Sequence, residues 1–200
     1  MERLLKRYPV LEACKAEIQQ AIMFLEQSVK NGGTILICGN GGSCSDSIHI
    51  SGELLKGFLS KRPLKEEDKQ KLGEMGEYLQ YGIPAIPLPS LDGVISAFAN
   101  DVDPKLVYAQ LVWALGREGD VLLALTTSGN SENVVKACEA AKAKGMKVIG
   151  LTGERSCQLD LSCDTVIHAP ATHTYQVQEL HLPIYHEICM QLEENLFGND

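Results

Sequence analysis

Short, continuous apolar runs, each too brief for a helix, govern what this chain can fold into. They are Thr34-Ile35-Leu36-Ile37-Cys38, Asp120-Val121-Leu122-Leu123-Ala124-Leu125, Lys147-Val148-Ile149-Gly150-Leu151 and Thr165-Val166-Ile167-His168-Ala169. A strand with one wet face alternates apolar and polar residues. These runs do not, so they read as strands buried on both faces. Ala85-Ile86-Pro87-Leu88 is a further short strand, and its proline, which cannot donate to a ladder, points to an edge or a terminus.

Helical patterns separate the runs. Val10, Leu11, Cys14, Ile18, Ala21, Ile22, Leu25 and Val29 recur at helical spacing across residues 8–30, and Asn31-Gly32-Gly33 ends that helix. A second helix follows Gly39-Asn40-Gly41-Gly42-Ser43 and ends near Phe58. Asp103-Pro104 is a helix start, with Asp as cap and Pro in the first turn, and that helix runs to about Leu115. Glu132 to Lys144, closed by Gly145, and Gln176 to Leu196 complete the set. Strands alternating with such helices imply right-handed crossovers and a parallel sheet covered on both faces, in a single α/β domain over residues 1–200. From Lys61 to Gly82 the composition turns to Lys, Glu, Asp and Gln. Lys65 to Tyr81 can be helical with Leu72, Met75 and Leu79 on one side, which reads as a surface insertion or lid weakened by Gly73 and Gly76.

Charge narrows the function classes. Eighteen basic against 26 acidic side chains give a net charge of −8, the opposite of the basic face a nucleic-acid binder needs. An acidic protein can still bind phosphate in a local nest of amides. No apolar run approaches a membrane span, and the mixed-charge start Met1-Glu2-Arg3-Leu4-Leu5-Lys6-Arg7 is unlike a signal peptide. Seven scattered cysteines without a C-x-x-C pair read as free thiols in a reducing compartment, so a cytoplasmic protein is expected.

In such sheets ligands bind beyond the carboxyl ends of the strands. Two polar turns sit there, Gly39 to Ser43 and Thr126 to Ser131. Neither carries G-x-G-x-x-G or the Walker pattern, which disfavours dinucleotides and nucleoside triphosphates. Thr126, Thr127, Ser128 and Ser131 cluster where a helix begins, a setting for a phosphate monoester held by hydroxyls and amides. The plainer alternative is that Asn130 or Ser131 only caps the helix. His49 and Glu53, at i and i+4, share a helix face and suit zinc ligation, a base with its orienting partner, or a solvated surface pair. Gln178 and His186 lie eight residues apart, roughly 12 Å of helical rise. One metal reaches both only if the helix bends or a second chain supplies one of them, and Pro183 between them predicts a kink or break. His181 reads as packing or hydrogen-bonding on a neighbouring face, and His168 and His173 as structural.

Cys38-Gly39-Asn40-Gly41-Gly42-Ser43, His49-x-x-x-Glu53, Asn100-Asp101, Thr126-Thr127-Ser128-Gly129-Asn130-Ser131, Leu151-Thr152-Gly153 and Gln178-Glu179-x-His181 resemble the sugar isomerase (SIS) domain family, and within it the phosphoheptose isomerase branch. The resemblance covers nearly the whole chain outside residues 61–82. It implies a three-layer α/β/α sandwich with a five-stranded parallel sheet of the flavodoxin-like doubly wound kind and an N-terminal helix. It also implies a homotetramer with active sites at subunit interfaces, acting on a phosphosugar and needing neither nucleic acid nor membrane.

Carried over by resemblance, Asn40, Gly41, Gly42, Ser43, Asn100 and Asp101 contact the sugar, and Thr126, Thr127, Ser128 and Ser131 hold the phosphate. His49, Glu53, Gln178 and His186 match zinc positions, Glu53 and His186 an acid–base pair, and Glu53 and Gln178 also face the substrate. The implied reaction converts sedoheptulose 7-phosphate to D-glycero-D-manno-heptose 7-phosphate through an enediol. The alternatives are an isomerase for another phosphosugar, or a non-catalytic member that senses phosphosugars or acts as a replication-regulator-like scaffold. Two departures stand out: Thr126 replaces the family's usual serine, and Tyr175-Gln176-Val177 stands where an Asp-Arg pair is common.

Overall fold

The structure, a computed structural model, describes residues 1–198. The apolar runs become strands β1 (Ile35–Gly39), β3 (Val121–Leu125), β4 (Lys147–Gly153) and β5 (Thr165–Ala169), joined by the short β2 (Ala85–Pro87). All pair in parallel, in the order β2-β1-β3-β4-β5, with Ile35 beside Val121 and Val121 beside Lys147. Proline-bearing β2 is an edge, as expected, and the order is that of flavodoxin-like sheets.

Successive residues of a strand face opposite sides. Ile35, Ile37, Leu123, Leu125, Ile149 and Leu151 therefore pack with helices α1 (Glu2–Arg7), α2 (Lys15–Lys30), α3 (Gly42–Leu55) and α9 (Thr174–Phe197). Leu36, Cys38, Leu122, Ala124 and Val148 pack the other way, toward α5 (Asp92–Asp101), α6 (Val107–Leu115), α7 (Glu132–Ala143) and α8 (Leu159–Ser162). β1 and β3 are buried throughout, which is why their sequences carry no alternation.

Several expected boundaries shift for local reasons. Tyr8 precedes a proline and leaves helical geometry, so residues 8–30 divide into a 3₁₀ stretch, Pro9–Cys14, and α2. The charged segment holds α4 (Glu66–Leu72), which stops where Gly73 takes φ 63, and then a 3₁₀ turn, Gly73–Glu77. Met75 and Leu79 are exposed there rather than buried on a common face. α5 left no sequence signal because none of its residues is fully buried, so it shows no clean apolar stripe. α9 runs unbroken through Pro183, so of the kink or break expected there the break does not occur. Val177, Ile184, Tyr185, Ile188 and Leu192, all within the core, hold it continuous across the missing N–H. Every cysteine is free.

Candidate active site

Two helices on the same side of the sheet carry the acid–base candidates. Glu53 lies in the last turn of α3, one turn beyond His49, and His186 lies in the middle of α9. Their side chains meet: His49 Nε2 is 3.3 Å from Glu53 Oε1 and 3.5 Å from His186 Nε2. The Phe58 ring tilts against His186 with centroids 5.6 Å apart. Burial, aided by His49, pushes the His186 imidazole below the usual histidine range, which favours its neutral form.

Behind His49 stands a pair the sequence did not reveal. The Tyr185 hydroxyl donates to Asp46 Oδ1 at 3.2 Å and lies 3.0 Å from His49 Nδ1. A hydroxyl has one proton. Spent on the carboxylate, it leaves the Tyr185 oxygen to accept from Nδ1–H, so His49 turns the Nε2 lone pair toward Glu53 and His186. Burial and the Asp46 carboxylate raise the Tyr185 pKa and keep the phenol protonated for this role. The His49 Nε2 lone pair and Glu53 Oε1 thus converge beside His186, while Lys56 Nζ pairs with the other carboxylate oxygen at 3.1 Å, an arrangement with room for a proton or a metal ion between the imidazoles and Oε1.

The two separations also match the edge of a tetrahedron whose bonds are roughly 2.0–2.1 Å, the lengths zinc makes to nitrogen and oxygen. The donor set therefore fits the metal. The site is not assembled as it stands: among the described residues no group of three or more His, Cys, Asp or Glu side chains is placed to hold a metal ion. Gln178, the expected fourth ligand, sits elsewhere in the chain. Its amide packs against Gly42, where a Cβ would come within 2.3 Å of Nε2, at the start of α3 rather than near its end.

The two polar turns lie side by side. Gly41 takes φ 56, open to glycine without strain, and so redirects β1 into α3. Asn40 exchanges two amide hydrogen bonds, 2.8 and 2.9 Å, with Asn133 in the first turn of α7, which ties the first turn to the second. Asn133 was not read as a site residue, since nothing in the sequence marks it. Ser43 is buried beneath the turn, against Gly39, rather than presented on its surface.

Thr126 Oγ1 lies 2.8 Å from Ser131 Oγ and 3.4 Å from Ser128 Oγ, a hydroxyl cluster at the N-terminus of α7. Ser131 makes no side-chain cap bond to that helix, so its hydroxyl is not committed to the plainer role. Thr127 and Ser128 open onto a cavity of about 200 Å³ that Arg155 also lines. Asn100 and Asp101 end α5 on the opposite layer, exposed and bonded to each other at 2.8 Å. Among the described residues neither hydrogen-bonds another candidate.

Of the remaining histidines, His168 and His181 are structural, while His173 is exposed and stacks on Tyr175 with centroids 6.2 Å apart. His168 bridges the Gly153 carbonyl and Asp160, and His181 is fully buried with Nε2 3.3 Å from the Thr152 carbonyl. No helix of the described residues is long and apolar enough to cross a membrane.

An open parallel sheet with a hydroxyl-lined turn at one strand end and an imidazole–carboxylate cluster where α3 meets α9 defines a sugar-phosphate-handling α/β protein. The sequence model of the SIS domain matches residues 1–75 and 81–153, and the chain belongs to that family. It is 36% identical over 198 residues to the phosphoheptose isomerase of Burkholderia pseudomallei strain K96243, covering 98% of this chain and 86% of that one. It is 38% identical over 180 residues to that of Yersinia enterocolitica, covering 90% and 83%. Its fold superposes on a solved phosphoheptose isomerase from Francisella tularensis with a TM-score of 0.80 at 31% identity, covering 94% and 91%.

Proposed function

We propose that this chain is an aldose–ketose isomerase of phosphosugars, with sedoheptulose 7-phosphate as substrate. The observation that carries the reading is the meeting of Glu53, His49 and His186 from two separate helices, in a chain whose other end of α3 borders a turn of clustered hydroxyls. Relatives named phosphoheptose isomerase that match nearly end to end support the heptose.

The phosphate is held by Thr126, Thr127, Ser128 and Ser131 together with the first amides of α7. Asn40, Gly41, Gly42 and Gln178 line the sugar's path from the neighbouring turn, with Ser43 beneath them and Asn100 and Asp101 closing from the other layer. Anchored by its far end, the open-chain sugar presents carbons 1 and 2 to Glu53 and His186. Glu53 takes the proton from one carbon and returns it to the other. His186, held neutral by burial, takes the proton of the hydroxyl that becomes a carbonyl and delivers one to the carbonyl that becomes a hydroxyl. No atom is gained or lost, and the enediol stage is common to both directions.

His49, Glu53 and His186 would hold a zinc ion, with Gln178 of a second copy as fourth ligand in a homotetramer whose sites lie at subunit interfaces, and Glu53 and His186 would have to leave the ion to act on the sugar's protons. Bound there, zinc supplies stabilisation of negative charge on the sugar oxygen. The segment at 61–82 serves as an insertion over the single domain. The test is conversion of sedoheptulose 7-phosphate, followed by product analysis, in wild type and Glu53→Gln. Turnover by wild type with loss of at least a hundredfold in the variant is expected. Wild-type-like turnover in Glu53→Gln refutes the assigned base, and thermal stabilisation by the sugar without turnover favours a non-catalytic sensor or scaffold.

A further inference from the structure

Arg62 is the one residue other than glycine with positive φ, 47, among those described, and it precedes a proline. An L-residue is costly to hold there, more so before proline, and such strain persists only where the surroundings fix it. The surroundings do. Arg62 is 2% exposed, and its guanidinium reaches in three directions. Nε bonds Glu193 Oε1 at 2.7 Å, Nη1 donates to the Leu54 carbonyl at 2.7 Å, and Nη2 to the Glu53 carbonyl at 3.4 Å. Its flat face lies 5.0 Å from the centre of the Phe197 ring.

These partners have a common meaning. The Glu53 and Leu54 carbonyls belong to the last turn of α3, where helix acceptors lack intrahelical donors and carry negative partial charge. Glu193 sits on α9 seven residues, two turns, beyond His186, hence on the same face. Its carboxylate also takes the backbone N–H groups of Phe58, Leu59 and Ser60 at 2.8, 2.7 and 3.1 Å, fixing the loop whose Phe58 ring touches His186. The Leu54 carbonyl also takes the Ile83 N–H at 2.8 Å, so Arg62 shares the holding of this turn and adds its tie to α9.

We infer that Arg62 is a positioning residue for the proton transfer: paired with Glu193, it fastens the turn of α3 that carries Glu53 to the helix that carries His186. The inference rests on the isomerase reading above. Arg62 touches neither substrate nor reacting atoms, and the hydroxyl turn that holds the phosphate belongs to other elements. The bridge therefore bears on the chemical step and not on phosphate binding.

The experiment compares wild type, Arg62→Lys and Glu193→Gln as full chains, at a temperature well below each melting transition. Lysine keeps the charge but lacks the planar fork needed to span Glu193 and two carbonyls. Glu193→Gln retains one acceptor oxygen and guards against a variant that does not fold. We expect kcat to fall at least tenfold while KM for sedoheptulose 7-phosphate and inhibition by inorganic phosphate shift less than twofold. Amide exchange across residues 53–60 should quicken tenfold or more, with the start of α7 unchanged. A merely structural role would lower the melting temperature and leave kcat alone. The inference is overturned when the folded variants keep kcat within twofold of wild type, or when KM rises by the factor kcat falls. Wild type that binds the sugar without converting it sinks the isomerase reading instead, and unaltered exchange at residues 53–60 then sinks the bridge separately.

Discussion

Tyr185→Phe removes a single oxygen, and its consequences can be worked out from two distances. The ring, 1% exposed in the core beneath α3 and α9, stays in place, so no cavity larger than one atom opens. What goes is the acceptor 3.0 Å from His49 Nδ1 and the donor 3.2 Å from Asp46 Oδ1. Asp46 already has its carboxyl pushed up by burial, and it loses a hydrogen bond that opposes this. Two hydrogen bonds at about 0.5–1.5 kcal/mol each put the stability loss at roughly 1–3 kcal/mol.

The larger effect is on His49. Freed from Tyr185, its ring can place the proton on Nε2, toward Glu53, and the lone pair that would bind metal turns away. Loss of such an outer partner costs about 10–100-fold in metal affinity, or roughly 1.4–2.8 kcal/mol. The assay is zinc competition against a chelating dye, with Tyr108→Phe as control. That change deletes an equivalent buried hydroxyl, one that donates to the Gly39 carbonyl at 2.8 Å on the other layer. It should cost stability and leave zinc affinity alone. Equal zinc affinity in wild type and Tyr185→Phe refutes the tautomer assignment and with it the convergence of lone pairs.

Three other outcomes are expected. Burial lowers the His181 pKa to about 4, so between its unfolded value of about 6.5 and about 4 the unfolded chain binds more protons. That contribution is complete above about 6.5 and is lost as pH falls through about 4, at most about 3 kcal/mol. Urea titrations of His181→Gln should accordingly show a flatter pH dependence in that window. Ser131→Ala removes the hydroxyl 2.8 Å from Thr126 Oγ1 and one phosphate donor, raising KM for the sugar phosphate about 10- to 100-fold with kcat within a factor of a few. Gly42→Ala thrusts a Cβ to within 2.3 Å of the Gln178 amide, a flexible end that can swing away. The fold should survive by circular dichroism and thermal melting while kcat/KM falls about 10- to 100-fold through misplacement of Gln178.

The sheet was legible because its central strands are sealed on both faces, so that burial is written directly into runs such as residues 121–125, whereas β5, an edge, is only partly buried despite its apolar run. Helix ends were less so, since Tyr8 and Gly73 break patterns that apolar spacing alone would continue. In the site, His49 and Glu53 could be paired because four residues of helix put them on one face. Tyr185 and Asp46 could not, being 139 positions apart, nor could Arg62 and Glu193 at 131. Such pairs exist only once α3 and α9 have packed together.

The eight-residue interval from Gln178 to His186 is the instructive case. Its roughly 12 Å of rise poses a conflict that only a bend or a second chain resolves. Pro183 does not break α9, which continues through it. His186 thus joins His49 at 3.5 Å while the Gln178 amide packs against Gly42 at the opposite end of α3. With the Gln178 amide at one end of α3 and His186 at the other, one chain does not bring both donors to one ion, so a centre that uses this glutamine has to draw it from a neighbouring copy, and the proposed metal site and the proposed oligomer become a single hypothesis. Zinc affinity should therefore fall together with the oligomer on dilution in size-exclusion runs, and monomers that keep full affinity would separate the two.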